Sequence, residues 1–279
     1  MTITRPDEVD QQAVDALLDL AEEALEAGDT TQALHLCGQV LQWAPQQVGA
    51  LFISAEAHRD LGASEDAEER YRFVTQARPN YAPAWSGLAT TRFDLLEFEL
   101  ARVAALRAIR LDPGLGEAYY VRAMIRERRS DFDGAARDFL RAFRIDPVSW
   151  PRPLELTDAM IEAVVHEAAM SLHATVRSYL TQVPILVEEV PSEDVCLQFD
   201  PVAPPGELLG LFNGHSLTDR ASEDPWSAMP ATIVLYRRNL QRFAWHRESL
   251  LEQLRITVLH EVGHFLGLDE EEVDARGLG

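Results

Sequence analysis

The chain has 279 residues, 47% of them hydrophobic, a length and composition that predict two domains with packed cores. Its net charge of −21 excludes an ordinary nucleic-acid binder, which needs a basic patch, and no apolar run is long enough to span a bilayer. All 25 basic residues are arginine; sixteen face 25 acids in residues 1–150 and nine face 21 in the remainder, so both halves are acidic.

Two cysteines, Cys37 and Cys196, fall in different predicted domains. That excludes a disulfide framework and points to a reducing compartment. The opening MTITRPDEVDQQ has no basic segment leading into an apolar run. No secretory signal is expected, and a cytoplasmic location is the default.

The first half repeats. Pro45, Pro79, Pro113 and Pro147 are spaced 34 residues apart. Twelve residues before each stands Ala33, Ala67, Ala101 or Ala135, and five before each Val40, Val74, Ala108 or Ala142. Between them lie Cys37, Tyr71, Ala105 and Phe139. A large residue recurs at Leu17, Leu51, Trp85 and Tyr119, with Ala21, Ala55, Ala89 and Ala123 four residues later. Small residues let paired helices cross closely, a large one plugs the neighbouring unit, and proline ends each second helix. Over Val14 to Pro147 these columns resemble the tetratricopeptide repeat family, and residues 1–147 are expected to form an all-α solenoid of four helical repeats.

The resemblance implies a groove holding a peptide or protein, lined by Leu18, Glu22, Leu25, Phe52, Glu56, Arg59, Ser86, Thr90, Phe93, Tyr120, Met124 and Glu127. Its lining is mixed apolar and acidic, with no basic set to clamp a ligand carboxylate. Arg122, Arg126, Arg128, Arg129, Arg137, Arg141 and Arg144 cluster in the last unit. They read as a solvated face paired with Glu127, Asp131, Asp133 and Asp138; docking of an acidic partner is the alternative.

Residues 148–155 form a proline-bearing linker. Beyond it, the stripe Met160, Ile161, Val164, Ala168, Leu172, Val176, Leu180 predicts one long helix over Thr157–Thr181. His166 and His173, two turns apart on it, are expected to be structural or exposed. Strands are predicted at Ile185–Val190, Val195–Phe199, Leu208–Phe212 and Ala231–Tyr236. The polar stretch Asn213–Pro230 reads as a loop that either rims a cleft, bringing His215 near it, or covers surface.

The last helix carries His260, Glu261 and His264 as H-E-x-x-H, with Leu251, Leu254, Val258, Val262 and Phe265 as its apolar stripe. The histidines are one turn apart on one face, so both can reach one ion, and Glu261 is placed to take a proton from its water. Gly267 suits the left-handed conformation that stops a helix, and Asp269, Glu270, Glu271 and Glu272 follow.

With LLGLFNG and ATIVLYRRNL upstream, this helix resembles the minimal zincin-like metallopeptidases of bacteria, over Leu156 to Leu278. The resemblance implies an α+β zincin-like domain over residues 156–279, with a small mixed sheet and an active-site helix. It implies zinc ligands His260, His264 and Glu270, with Asp269 the alternative third ligand, and Glu261 as catalytic base. A methionine turn below the metal is not expected, since Met229 is the last methionine. The third ligand comes from the acidic turn or from His215 or His246.

Tyr236, His215 and His246 are the candidates for stabilising an oxyanion, Gly263 for close approach of a strand, and Ala231–Tyr236 for the edge along which substrate lies. The expected function is a zinc metallopeptidase whose repeats recruit a protein substrate. A binding scaffold with an idle or structural metal site, and an amidase acting on a small substrate, are the alternatives.

Overall fold

The computed structural model describes residues 11–180, 183–214, 216 and 231–275. It divides into two compact units, the first comprising residues up to Arg126 and Asp133–Asp146, the second Glu127–Phe132 and Pro147 onward.

In the first unit the helices form successive hairpins: α1 (Gln11–Glu26) with α2 (Thr30–Trp43), α3 (Val48–Asp60) with α4 (Ser64–Ala77), and α5 (Ala82–Asp94) with α6 (Phe98–Leu111). Helices α7 (Gly116–Arg128) and α8 (Phe132–Ile145) follow at the same spacing. The small columns are where the period places them. Ala33, Ala67, Ala101 and Ala135 are buried, as are Ala21, Ala55, Ala89 and Ala123. Each proline stands two residues beyond its helix end, where the missing N–H prevents the helix continuing.

One further column has the same period. Gly28, Gly62, Leu96 and Ser130 all have positive φ, at 78°, 72°, 63° and 58°, and each lies in the turn inside a hairpin. Only the first two are glycine, so the sequence hides this position. A side chain there costs about 1–2 kcal/mol.

Polar groups at the predicted groove positions are tied to one another. Arg59 donates to Glu56 and to Glu117, each at 2.6 Å; Tyr71 donates to Glu56 at 2.6 Å. Ser86 and Thr90 donate to Glu117 at 2.7 and 3.1 Å, linking three repeats. Ser86 and Phe93 are buried rather than lining a surface. Glu127 belongs to the second unit, where it is buried and paired with Arg242.

In the second unit the predicted long helix is broken. Helix α9 (Asp158–Ser171) and α10 (Ala174–Leu180) are separated at Leu172, whose backbone is extended. His166 and His173 are exposed. Strand β1 (Ile185–Glu188) follows, and then a short helix, α11 (Glu193–Cys196), replaces the predicted second strand. The Ser192 hydroxyl caps it by accepting from the Val195 N–H, so the local cap overrides the β-branched residue in this segment.

Strand β2 (Gly210–Asn213) and β3 (Thr232–Tyr236) complete a sheet of order β1-β3-β2, with β1 parallel and β2 antiparallel to β3. Ala231–Tyr236 is therefore central, not an edge. Helix α12 (Arg237–Phe243) leads to α13 (Arg247–Leu266), and α14 (Glu270–Ala275) closes the described chain. Leu250, Leu254, Val258, Val262 and Phe265 of α13 are buried with Ile161, Val164 and Ala168 of α9 and with Ile233 and Leu235 of β3. This core fixes which side of α13 faces outward. Among the described residues, no helix is long and apolar enough to cross a membrane. Both cysteines are free and buried.

Candidate active site

Helix α13 holds His260, Glu261 and His264 in its final two turns. The Nε2 atoms of His260 and His264 are 3.0 Å apart, with the rings nearly perpendicular at 80°. Gly267 ends the helix at φ 91° and folds Leu268 back, its N–H donating to the Gly263 carbonyl. The Leu268 carbonyl lies 3.1 Å from Nδ1 of His264. A carbonyl only accepts, so Nδ1 is the donor here and Nε2 is the ring nitrogen directed towards His260.

Two imidazole nitrogens converge, which is the donor set zinc favours. Tetrahedral coordination at about 2.0–2.1 Å separates two ligating nitrogens by roughly 3.3 Å. The observed 3.0 Å is within a few tenths of an ångström of that, so these two side chains fit such an ion with minor adjustment.

The acidic turn is organised by its own capping box. Asp269 Oδ1 accepts from the Glu272 N–H at 2.9 Å, and Glu272 Oε2 accepts from the Asp269 N–H at 3.3 Å. Glu270 is the first residue of α14; its side chain lies outside the described residues. Among the described residues, no group of three His, Cys, Asp or Glu is arranged to hold a metal. His215 also lies outside the described residues. His246 is the N-cap of α13, about 21 Å along the axis from His260, and cannot share its ion.

A cleft of about 630 Å³ opens on this face, lined by Glu207 to Phe212, Gln253, Ile256, Thr257 and the motif residues, with Phe199 beside them. Glu261 is buried at its wall. Strand β2 approaches α13 through Gly210, where a β-carbon would stand 2.7 Å from Thr257 Cγ2 and 3.1 Å from Glu261 Oε1. Gly263, expected to admit the strand, faces Val273 of α14 instead: its β-carbon would stand 2.8 Å from Val273 Cγ2. Gly210 was findable, since a glycine inside a strand often marks a close approach.

Tyr236 is buried and does not line the cleft. Burial, then the charges of Glu188, Cys196 and Glu261, push its phenol pKa up.

Residues 180–278 match the family model described as zincin-like metallopeptidase, and residues 24–90 that described as tetratricopeptide repeat. No curated protein matches the chain. A crystal structure of MamA protein is 24% identical, with 49% of this chain and 74% of that one covered and a TM-score of 0.43. MamA from Desulfovibrio magneticus RS-1 is 19% identical over 48% and 76%, at 0.43. The first repeat domain of Spaghetti (RPAP3), bound to HSP90 peptide SRMEEVD, is 21% identical over 44% and 97%, at 0.42. The chain thus carries tetratricopeptide-like repeats followed by a zincin-like metallopeptidase domain.

Proposed function

We propose that this protein is a zinc-dependent peptidase acting on a protein substrate recruited by its repeats. The observation that carries the reading is the 3.0 Å approach of the His260 and His264 Nε2 atoms, with His264 oriented from behind by the Leu268 carbonyl. Zinc would be held by His260 and His264, with Glu270 as third ligand and Asp269 as the alternative. When bound, the ion supplies a Lewis acid that acidifies water and polarises a carbonyl.

The remaining chemistry belongs to the chain. Glu261, at the cleft wall, takes the proton from the attacking water and returns it to the departing amine. Strand β2 supplies the positioning surface. The Tyr236 N–H donates to the Leu209 carbonyl at 2.9 Å, so by antiparallel alternation the backbone groups of Gly210 and Phe212 point away from β3. An extended peptide adding to that edge would pair with them, its side chains against Leu209, Leu211 and Ile256. In the repeats, Arg59 is shared between Glu56 and Glu117 and offsets part of their charge, which supports an apolar segment beside Leu18, Leu25, Phe52 and Met124.

The competing reading is a scaffold with an idle or structural metal site. Glu261→Gln separates the two. A peptidase should keep its zinc and lose about 10²–10⁴-fold in hydrolysis of a recruited protein. Unchanged hydrolysis with zinc retained removes the enzymatic reading.

A further inference from the structure

Five of the seven clustered arginines of the last repeat line an open cleft, in which the expected pairing with Asp138 is formed. Tyr119, Arg122 and Arg126 of α7 and Arg137, Asp138, Leu140, Arg141 and Arg144 of α8 enclose about 460 Å³. That lies within the roughly 300–1,000 Å³ of ligand-binding clefts. Five guanidinium groups face one carboxylate, in a chain of net charge −21.

The carboxylate is already committed. Asp138 is buried and accepts from Arg122 Nε and Nη2 at 2.7 and 2.6 Å, with Arg126 Nη1 at 3.0 Å. It fixes two of the arginines as a rigid wall. Two guanidinium groups lie over the Tyr119 ring, Arg122 at 5.2 Å and Arg141 at 5.7 Å from its centroid. Arg137, Arg141 and Arg144 are exposed and, among the described residues, have no carboxylate partner. They stand at i, i+4 and i+7 on α8, where like charges repel by about 0.2–0.5 kcal/mol per pair. Internal pairing accounts for the wall and leaves this rim uncompensated.

We propose that this cleft docks an acidic peptide segment of a partner protein, with its carboxylates taken by Arg137, Arg141 and Arg144 beside the Tyr119 ring. Arginine is suited to this because its planar fork meets a carboxylate with two parallel bonds. Arg122 and Arg126 lie about 150° round α7 from the predicted groove positions Tyr120, Met124 and Glu127, so this is a second surface. A nucleic acid fits less well: the field of an acidic chain opposes a long polyanion more than a short one, and a carboxylate matches the planar guanidinium fork. The proposal does not depend on peptidase activity.

The test uses the full chain and fluorescence anisotropy of a labelled hexaglutamate peptide, with hexaglutamine and oligo-dT beside it. Hexaglutamate should bind and hexaglutamine should not. Arg141→Gln/Arg144→Gln should weaken binding by at least about tenfold, the worth of one charge-assisted hydrogen bond. Arg78→Gln/Arg110→Gln removes the same charge outside the cleft and should change nothing. Arg144→Gln alone breaks no contact and should weaken binding in the same direction, which guards against misfolding of the double variant. Equal binding by wild type and the cleft variants, no binding by wild type, or tighter binding of oligo-dT overturns the proposal.

Discussion

Gly210 lies directly against Glu261: a β-carbon at the strand position would stand 3.1 Å from Oε1 of the glutamate. The strand that borders the cleft and the proposed base are therefore set by one close packing contact. The same hypothetical carbon would come within 2.7 Å of Thr257 Cγ2, which is the tighter clash.

Gly210→Ala should accordingly cost about 1–3 kcal/mol, the range for overpacking, and lower hydrolysis as β2 shifts from α13. Thr257→Ser removes the clashing methyl while keeping the hydroxyl that donates to the Gln253 carbonyl. Thermal melts of the double variant should recover much of the lost stability. No recovery would mean the strain lies elsewhere.

Gly263 makes the corresponding contact with α14. A mid-helix Gly→Ala change normally stabilises by about 1 kcal/mol, yet here the new carbon meets Val273 Cγ2 at 2.8 Å. The clash should win, giving net destabilisation. A double-mutant cycle with Val273→Ala should show favourable coupling of about 0.5–3 kcal/mol by denaturant unfolding.

The acidic turn separates a cap from a ligand. Asp269→Asn keeps an oxygen able to cap α14, so stability should hold, and zinc affinity should be little changed if Glu270 is the ligand. Glu270→Ala should then lower zinc affinity. The opposite pattern in competitive chelator titrations would transfer the role to Asp269.

Cys37 provides a pH signature in the repeats. Burial pushes its thiol from 9.0 up to about 11. At pH 8 about one thiol in a thousand is ionised, so alkylation should await opening of the fold. The unfolded chain releases this proton first. The contribution is therefore complete below pH 9 and is lost by pH 11, a decline of about 2–3 kcal/mol. Cys37→Ala should flatten the stability profile in that window.

Ser130 is exposed and left-handed at φ 58°. Ser130→Gly should relieve strain and stabilise the fold by about 1 kcal/mol, read as a raised Tm.

The sequence by itself determined the repeats, because a 34-residue period forces the same small residues into the same helix crossings. It also determined that His260 and His264 share a face of one helix, since that follows from 3.6 residues per turn, and that Gly267 ends it. Tertiary structure decided what periodicity cannot express. Sheet order made β1 and β2 the edges and β3 the centre, because pairing is chosen between segments distant in the chain. It assigned Gly210 to the strand contact and Gly263 to Val273, since a missing side chain is informative only beside its neighbour. Among the described residues it also left three arginines of α8 without a carboxylate partner: charge pairing depends on which carboxylates come within reach, and Asp138 was already taken.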